Sequence, residues 1–271
     1  MNSTTPGGCD CHLHIYDDAF TLAATATFTP PHAPLADYLR MQRALGLTRA
    51  VLVQATGYGF DNACMLAALA QLGAHARGVV VVPPDVTEHE LERLHGLGVR
   101  GVRFMMIPGA GGLLPWPALP EMAARIAPLG WHIDLQLDGR ELPQHAARLK
   151  ALPCKLVIDH TGKFLEPVPV QHAAFQALLD VLDQDQRWVK LAAPYETSRL
   201  GAPDYADVAL LAKALVQQRP ERCLWASNWP HPNRAPRPDD SALLGLLHAW
   251  APEPRLREAI LVANPARAYG F

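Results

Sequence analysis

The sequence predicts a closed (β/α)8 barrel, an α/β fold in a single domain. Three observations predict it. Eight short apolar runs recur along the chain, and a segment with helical spacing follows each of them. The chain has 271 residues, and closed α/β barrels commonly run to about 250. Strict alternation of strand and helix argues for a parallel sheet. Eight such units in a chain of this length argue for closure rather than an open, doubly wound sheet.

The first run, residues 9–14, ends in an HxH pair, His12 and His14. A long loop, 17–34, separates it from the first helical stretch, 35–45. The second unit pairs 50–54 with 61–72, and the third pairs 76–82 with 88–97. The fourth strand, 99–104, leads into a second long loop, 107–120, with Gly-Ala-Gly-Gly and several prolines, and into helix 117–129. The remaining units are 132–137 with 141–149, 155–159 with 170–182, 188–192 with 204–217, and 223–227 with 239–250. Several runs are rich in Val, Ile or Leu, as strands buried on both faces should be. Two helical stretches open with proline near the first turn, which suits a helix start. No repeat, low-complexity tract or linker divides the chain, so residues 1–271 read as one domain.

Apolar residues make up 49% of the chain, enough for a sizeable core, and the net charge of -2 gives no electrostatic reason to expect nucleic acid or an anionic membrane. No uncharged apolar run reaches the roughly 18 residues of a spanning helix. The first eight residues are polar and show no secretion signal. Five cysteines, Cys9, Cys11, Cys64, Cys154 and Cys223, with no CxxC pair, suit a reducing cytoplasm.

Strand side chains alternate, so His12 and His14, two apart, share one face of the first strand. His160 ends the sixth strand, and Asn228 ends the eighth within Ser227-Asn228-Trp229-Pro230-His231-Pro232. Loops after strands lie on the C-terminal face of a barrel, where its chemistry is placed. Closure brings these distant positions together.

Residues 10–14 (Asp-Cys-His-Leu-His), 51–54 (Val-Leu-Val-Gln), 100–104 (Arg-Gly-Val-Arg-Phe), 157–160 (Val-Ile-Asp-His), 228–232 (Asn-Trp-Pro-His-Pro) and 264–269 (Asn-Pro-Ala-Arg-Ala-Tyr) carry a further signal. Together they resemble the amidohydrolase superfamily, with its HxH pair on strand one, a His after strand six and an acidic group after strand eight. The chain is similar to the lactone-processing branch, which includes hydrolases of pyrone dicarboxylates and isomerases of sugar-diacid lactones. The resemblance implies His12, His14, His160 and Asn228 as catalytic residues.

Two departures from the family pattern matter. The strand-eight residue is Asn228, whose neutral amide can orient a hydroxyl but is a poor base. The chain keeps Arg103 as an anchor but has Gln136 after strand five and Tyr195-Glu196 after strand seven. Polar uncharged anchors suit a hydroxylated sugar-acid lactone. Gln54 and Thr56 after strand two, and His231, are further candidate substrate contacts. Arg103 could instead pair with a buried carboxylate such as Asp134 or Asp159, and Lys190 could be a structural ion pair or a catalytic group.

Without a strand-eight carboxylate, activating an outside water is harder. A hydroxyl of the substrate has a high effective concentration and needs less help. The expectation is therefore lactone isomerisation, with one imidazole as base and another as acid, and lactone hydrolysis as the alternative. The partner is a small-molecule lactone; nothing in the pattern assigns an oligomeric state. The resemblance implies catalysis without metal; if a metal such as zinc binds, His12, His14 and His160 would hold it.

Overall fold

A computed structural model describes residues 5–232 and 234–271. Residues 1–4 of the polar N-terminal octet lie outside the described residues. Eight strands form one sheet: β1 (Cys9–Leu13), β2 (Arg49–Val53), β3 (Ala76–Val80), β4 (Val99–Met105), β5 (His132–Gln136), β6 (Lys155–Ile158), β7 (Arg187–Leu191) and β8 (Cys223–Trp225). Between and after them run α1 (Leu35–Ala44), α2 (Ala63–Leu72), α3 (Glu88–Gly96), α4 (Leu119–Ile126), α5 (Leu142–Lys150), α6 (Ala173–Leu182), α7 (Ala206–Gln218) and α8 (Asp240–Trp250). Every expected strand and helix is present, with ends shifted by at most three residues.

Neighbouring strands pair in parallel in the order β1 to β8. The ring closes just past β8, where Asn228 N donates to His12 O at 2.9 Å and His14 N donates to Trp229 O at 2.8 Å. The architecture is a (β/α)8 barrel.

Alternation splits the strand side chains into two cores. Leu52, Val102, Phe104, Ile133, Leu135, Leu156 and Val189 face outward and pack against the helices. Buried Phe175, Leu178 and Leu182 of α6 meet this layer, and burying each such side chain contributes about 1.5–3 kcal/mol. Cys9, Cys11, Val51, Val53, Val79, Val157 and Leu224 face inward and fill the lower barrel.

β1 carries an irregularity that decides where its histidines point. Asp10 pairs with Ala50, yet Leu13 pairs with Leu52. Three steps on β1 match two on β2, so one extra residue is inserted, a β-bulge. Below it Cys9 and Cys11 face the interior. Above it Leu13 packs in the outer core, which turns His12 and His14 into the barrel.

Helix starts follow local rules. Thr87 accepts from Glu90 N at α3, His172 from Ala174 N at α6, and Asp239 from Ala242 N at α8. The periodicity assigns no element after residue 250. The structure has a helical tail there, Pro254–Glu258, Ala259–Ala263 and Asn264–Tyr269. Its pieces are too short, and too interrupted by a π turn and by Pro265, to show a clean period. Tyr269 of this tail joins the inner core and sets its ring edge-on to His132 with centroids 5.1 Å apart. All five cysteines are buried free thiols. Among the described residues, no helix is long and apolar enough to cross a membrane.

Candidate active site

A cavity of about 250 Å³ opens at the C-terminal mouth of the barrel. That is below the roughly 300–1,000 Å³ of sites for drug-sized ligands, so it suits a small metabolite. Strand ends supply His14, Arg103, Gln136 and His160, and the turns beyond supply Thr56, Lys163, Glu196 and Asn228. The two long loops cover it with Thr27 and Phe28 on one side and Gly109 and Ala110 on the other.

The three strand-borne imidazoles converge. The ring centroids of His12 lie 4.9 Å from those of both His14 and His160. His12 sits beneath the cavity floor, fully buried, in a polar cluster. Lys190 Nζ lies 2.7 and 2.9 Å from the two oxygens of Asp134, 2.9 Å from Asp159 Oδ1 and 2.9 Å from His12 Nδ1. Burial works against the Lys190 ammonium, but the Asp134 and Asp159 carboxylates outweigh it and raise its pKa. Burial, then Asp159, lifts Asp134 to about 7.

This ammonium orders the protons of the histidines. An ammonium only donates, and Asp159 Oδ1, 3.2 Å from the same nitrogen, makes no hydrogen bond, so His12 Nδ1 accepts from Lys190 and the His12 proton sits on Nε2. His12 Nε2 is 3.2 Å from His14 Nε2, which accepts it. The His14 proton therefore sits on Nδ1 and is donated to Val53 O at 2.8 Å. Burial, then the Arg103 charge, lowers His14 to about 3, and burial drives His12 and His160 well below the usual range. All three are neutral near pH 7. His160 Nδ1 is buried without a partner.

A second chain fixes Asn228. Its Nδ2 donates to Tyr195 OH at 2.9 Å and to Glu196 Oε1 at 3.0 Å. Tyr195 OH in turn meets His231 Nδ1 at 2.8 Å, and His231 Nε2 meets Asp240 Oδ1 at 2.8 Å. A carboxylate accepts, so His231 Nε2 donates to Asp240, and Tyr195 donates to His231. Both amide protons of Asn228 are thus engaged within the protein, and its Oδ1 is left as an acceptor.

The charged groups at the mouth are Arg103, Lys163 and Glu196. Lys163 and Glu196 form an ion pair, and burial lowers Lys163 to about 8. Arg103 is 4% exposed and bonds Gln54 O at 2.9 Å and Gln136 Oε1 at 3.2 Å. It pairs with no carboxylate among the described residues, and its Nε has no partner. Lys190, not Arg103, holds Asp134 and Asp159.

Of the candidate residues read from sequence, His14, His160, Asn228, Arg103, Thr56 and Gln136 line the cavity. His12 lies below it. Gln54 turns its amide away to the Gly59 and Asp61 carbonyls and offers Arg103 only its backbone oxygen. Tyr195 and His231 stand behind Asn228. Motif spacing did not point to Lys163; a lysine three residues past a strand-end histidine has no distinguishing pattern. Backbone conformation marks the region more clearly. His160, Thr161, Lys163, Ala193, Asn228 and His231 all have φ between 47° and 62°. Such left-handed non-glycine residues cost about 1–3 kcal/mol each and collect at functional sites.

His12, Asp159 and His160 present ligand atoms within 4.8 Å of one another, so they are the natural candidates for a metal. The set does not suit a divalent ion. The Lys190 ammonium touches two of its three members, and Arg103 adds a positive charge above, while Lys163 is already matched by Glu196. Asn228, at the strand-eight position, brings no negative charge to offset them.

The barrel, its HxH pair, the strand-six histidine and the turn after strand eight define a class: the chain belongs to the amidohydrolase family, whose pattern matches residues 9–271. It is 35% identical over 274 residues to a 2-pyrone-4,6-dicarboxylate hydrolase of Comamonas testosteroni, covering 97% of this chain and 90% of that one. It is 33% identical over 264 residues to a D-galactarolactone isomerase of Agrobacterium fabrum (strain C58 / ATCC 33970), covering 96% and 89%. An apo crystal structure of an Agrobacterium tumefaciens protein superposes with a TM-score of 0.93 at 31% identity, covering 99% of this chain and 97% of that one.

Proposed function

We propose that this enzyme isomerises a lactone of a sugar diacid by intramolecular acyl transfer. A hydroxyl of the substrate attacks the lactone carbonyl, the former ring oxygen leaves, and the ring size changes. The observation that carries the reading is Asn228. An amide whose protons are both committed to Tyr195 and Glu196 can only accept. It holds a substrate hydroxyl in register and cannot strip a proton from water. The partnerless Nε of Arg103 suits the free carboxylate of the substrate, a charge-assisted contact. His160 is placed to polarise the carbonyl. The reaction needs no metal, consistent with Lys190 supplying the cation beneath the site. The isomerase relative supports this choice.

Hydrolysis of a lactone is the second reading. It is favoured by the Glu196 carboxylate in the same cavity and by the hydrolase relatives. NMR of products from a panel of sugar-acid lactones separates the two, because ring migration and ring opening give different spectra. Asn228→Asp should add hydrolysis. A native enzyme that already releases the open acid, with an Asp variant no better at it, overturns the isomerase reading.

A further inference from the structure

Acyl migration between two oxygens moves one proton off the attacking hydroxyl and one onto the leaving oxygen. Two of the three histidines are poorly placed for this, and His160 is assigned to the carbonyl oxygen. His12 is below the floor, and both nitrogens of His14 are engaged, with His12 and with Val53 O. Resting on the isomerase reading, we propose that Glu196 and Lys163 are the catalytic proton-transfer pair: Glu196 takes the proton of the attacking hydroxyl, and Lys163 protonates the departing ring oxygen.

Several observations support it. Both side chains line the cavity and touch each other, although they stand on different turns, after β6 and after β7. Asn228 Nδ2 donates to Glu196 Oε1, so the residue that holds the substrate also aims the carboxylate. Each carboxylate oxygen has two acceptor sites, which leaves room for an incoming hydroxyl beside Asn228 and Lys163.

The balance closes without water. As the new C–O bond forms, the hydroxyl proton passes to Glu196 and a tetrahedral oxyanion appears against His160. As the old C–O bond breaks, its oxygen takes a proton from the Lys163 ammonium. Glu196, now a neutral acid, returns a proton to the neutral Lys163 amine, and the ion pair is restored. The pair has no net charge before or after the transfer, and in between its single positive charge faces the tetrahedral oxyanion, so no uncompensated charge is created in a buried site. The reverse reaction uses the same two groups. Burial of Lys163, which lowers its pKa to about 8, makes it a better acid than a surface lysine.

The test compares wild type with Glu196→Gln and Lys163→Met, checked for folding by circular dichroism, on a lactone that turns over. General acid–base groups contribute about 10²–10⁴-fold, so kcat should fall by that factor with KM changed only a few-fold. Wild-type kcat should decline above pH 8, and Lys163→Arg should move that alkaline limb upward. A kcat within three-fold of wild type in either variant, or an alkaline limb unmoved by Lys163→Arg, overturns the pair; the limb in wild type and Lys163→Arg decides the matter even if the other variants misfold. If wild type only opens the lactone, the isomerase reading falls. The pair is then judged on hydrolysis rates by the same comparison.

Discussion

His12 Nε2 and His14 Nε2 face each other at 3.2 Å, and the direction of that contact is set by Lys190 from below. The ammonium makes His12 an acceptor at Nδ1 and thereby a donor toward His14. The HxH pair is a relay of fixed tautomers anchored on a buried cation.

Lys190→Met should leave Asp134 and Asp159 buried without their cation. Removing one partner of a buried ion pair costs about 3–5 kcal/mol. Urea unfolding should show a loss of that size, and adding Asp134→Asn should recover part of it. A loss under 1 kcal/mol would mean that the cluster is wetter or looser than its distances imply.

Divalent metal should be dispensable. Prolonged dialysis against a chelator should leave kcat unchanged, and added zinc should not stimulate. Stoichiometric metal in protein purified without chelator, together with activity lost on its removal, would show that Lys190 yields its place to an ion.

Tyr195→Phe should free one amide proton of Asn228 and break the chain to His231 and Asp240. Leaving a buried polar group unsatisfied costs about 1–3 kcal/mol, or roughly 5- to 150-fold in rate if expressed in the transition state. The loss should appear in kcat, with His231→Gln in the same direction. Unchanged kinetics would mean that Asn228 is held by Glu196 alone.

His132 predicts a pH effect on stability. It lies inside the barrel with both ring nitrogens unpartnered, and burial, then Lys190, lowers its pKa to about 3. The unfolded value is about 6.5, so the unfolded chain binds the proton first. The stability it contributes as a neutral group is complete above pH 6.5 and is lost as pH falls toward 3. By pH 5 the loss is roughly 2 kcal/mol. The difference in unfolding free energy between pH 7 and pH 5 should be smaller by that amount in His132→Leu. An identical difference in both proteins would place the His132 proton elsewhere.

The barrel was legible because its determinants are local: apolar runs, helical spacing and prolines recur in phase with the eight units. His12, His14, His160 and Asn228 were legible because each sits at a strand end, and closure brings strand ends together. Gln54 was harder, since the residue after a strand can turn toward the mouth or toward its own loop, and Gly59 and Asp61 captured its amide. Lys163, Asp134, Asp159 and Lys190 depend on pairings between residues 31 to 56 positions apart. Sequence offered Arg103 as a substrate anchor or a partner for the buried carboxylates, and left Lys190 between a structural ion pair and a catalytic role. Only three-dimensional packing shows that Lys190 reaches them, which leaves Arg103 without an acidic partner.

The inserted residue in β1 has a consequence for how this strand tolerates change. Below it odd-numbered positions meet the interior, and above it even-numbered ones do, so one segment carries two messages in opposite phase. Straightening the bulge at unchanged length would return the strand to one phase and swing both imidazoles into the layer beneath the helices, although no functional side chain had been replaced. The local kink, as much as residue identity, is what aims these side chains.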